Sequence, residues 1–319
     1  MLYVNKEDAE KVEINWDDLF QTIEETTRLM GIKGETSQPE HPFIDFKDPA
    51  NRIIALPAYV GGNINTAGIK WIASFPDNIN HNMPRANSVT ILNSAETGVP
   101  FAIFNSTLLS IVRTSTVTGV VLNKYLKQQN KKVKIGIVGF GPIGQMHYRM
   151  MCEKFKDYID EIKIYDLRKI NFEFNKDVKS SFVNSWQETY EDADVFLNTT
   201  VTKERYVDLK PKENAILLNV SLRDYKIDIF DWVKDGIIVD DWFQVCRKNT
   251  DIERFHIEKN LQQEDVYTML DVIEEKVFGK INAKNYMFNP FGMSTFDIAV
   301  GNYYYKKVME KHLGCELED

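Results

Sequence analysis

Apolar residues follow two rhythms along this chain. Between residues 52 and 104 they form short runs broken by turn residues: Arg52-Ile-Ile-Ala-Leu-Pro57, Gly68-Ile-Lys-Trp-Ile-Ala73, Ser88-Val-Thr-Ile-Leu92 and Pro100-Phe-Ala-Ile-Phe104. Such runs, rich in β-branched and aromatic residues, predict strands of one sheet. Ser94-Ala-Glu-Thr-Gly98 reads as a hairpin connection whose glycine supplies a positive φ. A helix over about 17–30 is predicted ahead of the strands. Helical spacing returns over 107–126, with Asn105 or Ser106 as cap. The opening third is therefore expected to be α+β.

Beyond residue 130 strands and helices alternate. Strands are predicted at 134–138, 162–165, 195–199, 215–220 and 236–239, with a helix running to about Phe155 after the first. Alternation of this kind specifies a parallel sheet covered by helices. Asn289-Pro-Phe-Gly292 breaks the pattern. Residues from 294 to about 311 then read as a final helix that returns to the first domain, with Asp297 in its first turn, where a carboxylate suits the helix dipole. The expected fold is α/β: a Rossmann-type parallel-sheet domain over 113–293, and an α+β domain built from 1–112 and 294–319. The length of 319 residues fits two domains.

The junction of the first strand with its helix carries the strongest chemical signal, Lys134-Ile-Gly-Ile-Val-Gly139-Phe-Gly141-Pro-Ile-Gly144. In a Gly-x-Gly-x-x-Gly loop the first glycine permits the tight turn, the second lets backbone approach a pyrophosphate, and the third allows close helix–strand packing. Gly139, Gly141, Pro142, Ile143 and Gly144 are the candidate pyrophosphate contacts. Asp166 ends the next apolar run, roughly 20 residues beyond Gly144, where an acid accepts hydrogen bonds from ribose hydroxyls and repels a 2′-phosphate. The cofactor expected is NAD, although Arg168 and Lys169 follow closely enough to accommodate a phosphate.

A net charge of −8 and the lack of a basic tail argue against nucleic-acid binding. No uninterrupted apolar run approaches membrane-spanning length, and the N-terminus lacks a signal-peptide pattern. Cys152, Cys246 and Cys315 are an odd set without metal spacing, as are the five histidines, so neither a disulfide framework nor a metal site is expected. A cytoplasmic protein with a small-molecule substrate is the resulting expectation.

Three cations sit in otherwise apolar segments: Arg52, Lys70 and Arg113. Period-two alternation puts Lys70 on the face opposite Ile69 and Trp71, so it points either to solvent or into a cleft as an anion ligand. Together the three suit a substrate bearing carboxylates, which arginine grips bidentately. Asp224 lies just beyond the carboxyl end of a predicted parallel strand, the side on which open α/β sheets bind ligands. It is either an ordinary turn residue or a general base for an amine or an attacking water. Asp240 and Asp241 form a second candidate acid pair that equally reads as a cap. His147 reads as a packing or surface residue, and Trp71, Trp232 and Trp242 read as core.

The order of these pieces resembles the ornithine cyclodeaminase/mu-crystallin family: Arg52-Ile-Ile-Ala-Leu-Pro, Gly68-Ile-Lys70-Trp, Glu96-Thr-Gly98, Leu109-Ser-Ile-Val-Arg113-Thr-Ser-Thr, the glycine loop, and Gly292-Met-Ser-Thr-Phe-Asp297-Ile-Ala. Within it, Ile237-Ile-Val-Asp-Asp-Trp242-Phe-Gln, Cys246-Arg247 and Asn289-Pro-Phe-Gly-Met293 look most like the dehydrogenases that supply 2,3-diaminopropionate for siderophore assembly.

The resemblance implies NAD-dependent oxidation of N-(2-amino-2-carboxyethyl)-L-glutamate, hydrolysis to 2-oxoglutarate and L-2,3-diaminopropionate, and a homodimer formed through the non-nucleotide, substrate-binding domain. It places Arg52 and Lys70 at the substrate carboxylate, Arg113 beside substrate and cofactor, Asp224 and Lys70 in catalysis, and Thr200 and Ser221 at the nicotinamide half. Two departures matter. Asp224 is followed by Tyr225-Lys226-Ile227 where cyclodeaminases carry a Pro-Gly-Lys-type segment, which argues against ornithine cyclisation. A threonine common in the family is replaced around Pro84-Arg85-Ala86, making Arg85 a further candidate carboxylate ligand. Rival readings within the family are an ornithine cyclodeaminase, an alanine- or opine-type dehydrogenase, or a ketimine reductase. A crystallin-like protein that binds nucleotide and ligand without turnover is the rival of a different class.

Overall fold

The β-forming runs of the first third assemble as a meander in the computed structural model, which describes residues 1–318. Arg52–Val60, Thr66–Ser74, Ala86–Ser94 and Pro100–Asn105 pair antiparallel in sequence order. Leu2–Val4 adds in parallel beside the last of them, and Cys315–Glu316 pairs with Leu2–Val4. Thr36–Ser37 and Phe43–Asp45 pair along Arg52–Val60. Gly98 takes φ +73 in the expected hairpin connection. With the helices Trp16–Met30 and Ser294–Glu310, these strands form one unit, built from residues up to Thr116 and from Gly292 onward.

Register decides which residues this unit buries. Leu56, Lys70 and Thr90 stand opposite one another, and all three are buried on the face that Ser294–Glu310 covers. The neighbouring row, Ala55, Trp71 and Val89, faces the other way. Trp71, expected in the core, is 42% exposed, and Val89 beside it is 41% exposed. Trp71 is thus part of an apolar sheet face directed away from the helices. On the covered side, the helix Trp16–Met30 buries Trp16, Leu19, Phe20 and Ile23 at helical spacing. Each such side chain is worth roughly 2 kcal/mol of burial. Asn15 caps that helix by accepting the N–H groups of Asp17 and Asp18.

The second unit spans Val117–Phe291. Its sheet is parallel throughout, in the order Ser180–Phe182, Ile159–Tyr165, Val133–Val138, Val195–Asn198, Ile216–Asn219, Tyr286–Asn289, Ile237–Val239 and Tyr267–Thr268. Tyr286–Asn289, which the sequence pattern left unread, wedges between two of the expected strands. It is a four-residue run buried on both faces, so it offers no alternation to detect. The helix Thr107–Leu126 carries the chain from one unit into the other and is wholly buried from Ser115 to Leu122. Its threonines remain tolerable there because Thr114 and Thr116 donate their hydroxyls to the carbonyls of Ser110 and Val112. No helix among the described residues is long and apolar enough to cross a membrane.

Candidate active site

In the second unit, the strand Val133–Val138 ends at Gly139, whose φ of +85 turns the chain toward the helix Pro142–Phe155. The Gly139 N–H donates to the Tyr165 carbonyl at 2.9 Å, and its carbonyl accepts the Thr199 hydroxyl at 2.6 Å. A Cβ on Gly144 would lie 2.2 Å from that carbonyl, so helix and loop meet only because residue 144 is glycine. Gly141 is the helix N-cap and no side chain caps it; a Cβ there would meet nothing nearer than Arg168, at 3.8 Å. Room above Gly141 and a helix start without a side-chain cap, Pro142 and Ile143 leading into it, make a cradle for a phosphate. The residues present therefore fit a dinucleotide.

Asp166 leaves the end of Ile159–Tyr165 and is tied to this loop. Its Oδ2 accepts the Phe140 N–H at 2.7 Å, and Oδ1 accepts the backbone N–H and Nε of Arg168 at 2.9 and 3.0 Å. Burial pushes the Asp166 carboxyl up, but the Arg168 donors and the Phe140 N–H outweigh it and hold the group below the usual carboxylate range. His147, buried in the loop's helix, bonds the Ile143 carbonyl through Nδ1 at 2.8 Å; burial pushes its pKa down to about 4, in keeping with a packing role.

Asp224 is completely buried, not a surface turn residue. Four donors converge on its Oδ2: Thr200 Oγ1 at 2.6 Å, Ser221 Oγ at 2.7 Å, Asn198 Nδ2 at 2.8 Å and Tyr206 Oη at 3.2 Å. Its Oδ1 is buried with no hydrogen-bond partner among the described residues. Asn198 and Ser221 sit at or just past the carboxyl ends of neighbouring parallel strands, so the sheet delivers both to Asp224. Thr200 and Ser221 thus join Asp224 in one cluster. Asp240 and Asp241 serve as caps instead: Asp240 Oδ1 accepts the N–H groups of Asp241 and Phe291, and Asp241 accepts that of Gln244.

In the first unit, the cations are not solvated. Lys70 Nζ lies 2.6 Å from Asp297 Oδ2, and Arg113 Nε donates to Asp297 Oδ1 at 2.7 Å. All three side chains are buried. Burial pushes Lys70 down to about 8, with Arg113 adding to the effect and Asp297 opposing it. Burial alone would push Asp297 up; Arg113 and Lys70 outweigh it and hold the carboxyl below its usual range. Two cations around one carboxylate leave a buried excess of positive charge, which calls for an anion. Gly292 abuts this cluster with φ +98, and a Cβ there would lie 2.6 Å from Arg113 Nη1.

Arg52 opens its strand on the same sheet face as Lys70, since Leu56 pairs with Lys70 and Arg52 with Ser74. Its Nε is buried with no hydrogen-bond partner among the described residues, and burial pushes its guanidinium pKa down. Arg85 lies at that end of the sheet too: its carbonyl accepts the Phe75 N–H, and Ala86 pairs with Ser74. The structure thus groups Lys70 with Arg113, sets Arg52 and Arg85 at one end of the same sheet, and gathers Asp224, Thr200 and Ser221 in the other unit. Sequence reasoning missed Asp297, Asn198 and Tyr206. Asp297 had a signal: it is the lone charge in Phe296-Asp-Ile-Ala-Val300.

Residues 3–312 match the model of the ornithine cyclodeaminase/mu-crystallin family. The chain is 29% identical to the N-((2S)-2-amino-2-carboxyethyl)-L-glutamate dehydrogenase of Staphylococcus aureus, over 99% of this chain and 98% of that protein. It is 27% identical to the alanine dehydrogenase of Archaeoglobus fulgidus, again over 99% and 98%. Among solved structures, the Thermococcus litoralis Δ1-pyrroline-2-carboxylate reductase in complex with NADH and L-proline superimposes with a TM-score of 0.86 at 20% identity, over 99% of this chain and all of that one. An archaeal alanine dehydrogenase dimer with bound NAD gives 0.82 at 24% identity, covering 100% and 99%.

Proposed function

The chain belongs to the ornithine cyclodeaminase/mu-crystallin family, and from that premise we propose that it is an NAD-dependent dehydrogenase that oxidises N-(2-amino-2-carboxyethyl)-L-glutamate and releases 2-oxoglutarate and L-2,3-diaminopropionate. The observation that carries this reading is the buried excess of positive charge at Lys70, Arg113 and Asp297, with Arg52 on the same sheet face. A substrate with several carboxylates supplies the missing anions. Full-length similarity to a dehydrogenase of that substrate supports the same choice.

NAD, when bound, would supply the acceptor for the hydride that leaves the substrate α-carbon. Gly139, Gly141, Pro142, Ile143 and Gly144 would hold its pyrophosphate and Asp166 its ribose, with Thr200 and Ser221 toward the nicotinamide. Arg52, Lys70, Arg113 and Arg85 grip the carboxylates and fix the orientation of the substrate, which turns encounter into aligned reaction. Loss of hydride leaves a carbon–nitrogen double bond on the substrate, and water adds to that carbon. Asp224 accepts the proton the water gives up, at Oδ1, the oxygen without a protein donor. The carbinolamine then collapses: Asp224 returns that proton to the diaminopropionate nitrogen, the carbon–nitrogen bond breaks, and the hydroxyl gives its own proton to Asp224 as the carbonyl of the keto acid forms.

The enzyme acts as a homodimer joined through the sheet face that carries Ile69, Trp71, Val89 and Ile91. Trp71 and Val89, paired and exposed on that face beside the partly buried Ile69 and Ile91, support this, as does the dimer of the archaeal alanine dehydrogenase. Purified protein with NAD and the carboxyethyl-glutamate is expected to yield NADH, 2-oxoglutarate and diaminopropionate in equal amounts. Turnover of L-alanine to pyruvate with no reaction of the glutamate compound would favour the alanine dehydrogenase reading. Proline and ammonia from ornithine would overturn both.

A further inference from the structure

Asp251 is the first residue of the helix Asp251–Lys259, yet it does not serve that helix, whose cap is Thr250. Its fully buried side chain reaches instead to residues 219–225. Oδ2 accepts the backbone N–H groups of Asp224 and Tyr225 at 3.2 and 3.4 Å and the Asn219 amide at 3.1 Å. The Asp251 N–H donates to the Leu222 carbonyl at 2.8 Å. Leu222 has φ +66, a left-handed conformation that is costly for a bulky residue and persists only where its surroundings enforce it. Asn219 Oδ1 accepts the Leu222 N–H at 3.0 Å, so Asn219 and Asp251 hold the strained turn from two sides.

Arg205 anchors Asp251 in turn. Its Nε donates to Asp251 Oδ1 at 2.7 Å and its Nη2 to the Asn249 carbonyl at 2.6 Å. The next two N–H groups, of Tyr206 and Val207, both donate to the Asp224 carbonyl at 2.9 Å. Asp224 is thereby fixed at its N–H, its carbonyl and its Oδ2. A buried ion pair adds little net stability against apolar residues of similar size, so stability alone is a weak reason for Arg205–Asp251 to stand beside this turn.

We propose that Asp251, fixed by Arg205, is a positioning residue that holds the 221–225 turn so that Asp224 meets its four side-chain donors through Oδ2 alone and keeps Oδ1 clear for the reacting proton. The inference rests on the reading of Asp224 as proton acceptor. It accounts for the strain at Leu222 and for a carboxylate that serves neither its own helix nor the surface.

The test compares Asp251→Asn, which keeps an acceptor for the two N–H groups, with Asp251→Leu, which removes it. Hydrogen exchange at the amides of Asp224 and Tyr225 needs no substrate, and it is expected to speed up at least about tenfold in the Leu variant and far less in the Asn variant. With carboxyethyl-glutamate and NAD, kcat is expected to fall on the order of a hundredfold in the Leu variant and about tenfold in the Asn variant, with KM for both substrates within about twofold. Because Asp251 acts through Asp224, the double variant Asp224→Asn/Asp251→Leu should be no slower than Asp224→Asn alone. Unchanged exchange in a folded Leu variant, a double variant slower than Asp224→Asn, or KM rising in step with the loss of kcat each overturns the proposal. Full activity of Asp224→Asn removes the reading beneath it and the proposal with it. An inactive Asp224→Asn beside a fully active Asp251→Leu overturns the proposal alone.

Discussion

Asp297→Asn tests the charge argument in the first unit with almost no change of shape. The carboxylate faces Lys70 at 2.6 Å and Arg113 at 2.7 Å, all three buried. Removing one partner of a buried ion pair costs about 3–5 kcal/mol because the other charge is left unpaired, and here two cations are left. At roughly 2–4 °C per kcal/mol for a unit of this size, the melting temperature at pH 7 is expected to fall by about 6–20 °C.

The sign with pH follows from Lys70. Its folded pKa of about 8 lies below the 10.5 of a free lysine, so between those values the unfolded chain binds more protons and the wild type gains stability as pH rises. Asp297 is what opposes the downward shift, so in the variant the window opens at lower pH. The stability gap between the two proteins must then be wider at pH 7 than at pH 9.5. Added 2-oxoglutarate should raise the variant's melting temperature more than the wild type's, since it returns an anion to the cluster. Thermal unfolding by circular dichroism at the two pH values reads all of this. A variant within about 0.5 kcal/mol of wild type at pH 7, or a gap independent of pH, would refute the reasoning.

Gly292→Ala places a methyl 2.6 Å from Arg113 Nη1 at a φ of +98, so KM for the amino acid should rise about tenfold while NADH binding, read by fluorescence, stays unchanged; equal effects on both would place the fault elsewhere. Asp166→Ala removes the acceptor of the Phe140 N–H and frees Arg168, so the ratio of NADPH to NADH affinity should rise about tenfold, and a constant ratio would move the ribose contact to another residue. If Lys70 binds the substrate as a cation, kcat/KM should decline above about pH 8 as it loses its proton, and a flat profile to pH 10 would exclude that role. Trp71→Glu with Ile91→Glu puts charges on the open sheet face, so sedimentation velocity should report a monomer; a retained dimer would place the interface elsewhere.

What could be read in the sequence depended on how local the cause was. The glycine loop is local: a turn, a close approach and a helix start within a few residues, each needing glycine for its own steric reason, so residue types alone announce it. The strands of the first unit were legible because one face is buried and the other is open, which writes a period of two. The same alternation put Lys70 on the correct face, but it could not say whether that face met solvent or a helix. The helix that covers it comes from residues 294–310, more than two hundred positions away. The role of Asp297 is hidden for the same reason, since a first-turn carboxylate has a sufficient local explanation and nothing nearby in sequence reveals Lys70 and Arg113.

The Asp224 cluster shows what kind of signal carries further. Three neighbouring parallel strands of the second unit each end in asparagine: Val195-Phe-Leu-Asn198, Ile216-Leu-Leu-Asn219 and Tyr286-Met-Phe-Asn289. In the structure they form a buried ladder, with Asn198 donating to Asn219 at 3.1 Å and Asn219 to Asn289 at 2.8 Å. An asparagine closing one apolar strand reads as a turn residue. Three at the same register of one sheet cannot all be turn residues, because a buried amide must be paired and its natural partners are the other two. The ladder is therefore evidence for a polar floor beneath the strand ends before any carboxylate is placed on it. Asp224 and Asp251 are then the two acids this floor receives, Asn198 donating to one and Asn219 to the other. The terminal asparagine that the three apolar runs share thus marks Tyr286–Asn289 as a fellow strand and points to the residues that hold Asp224.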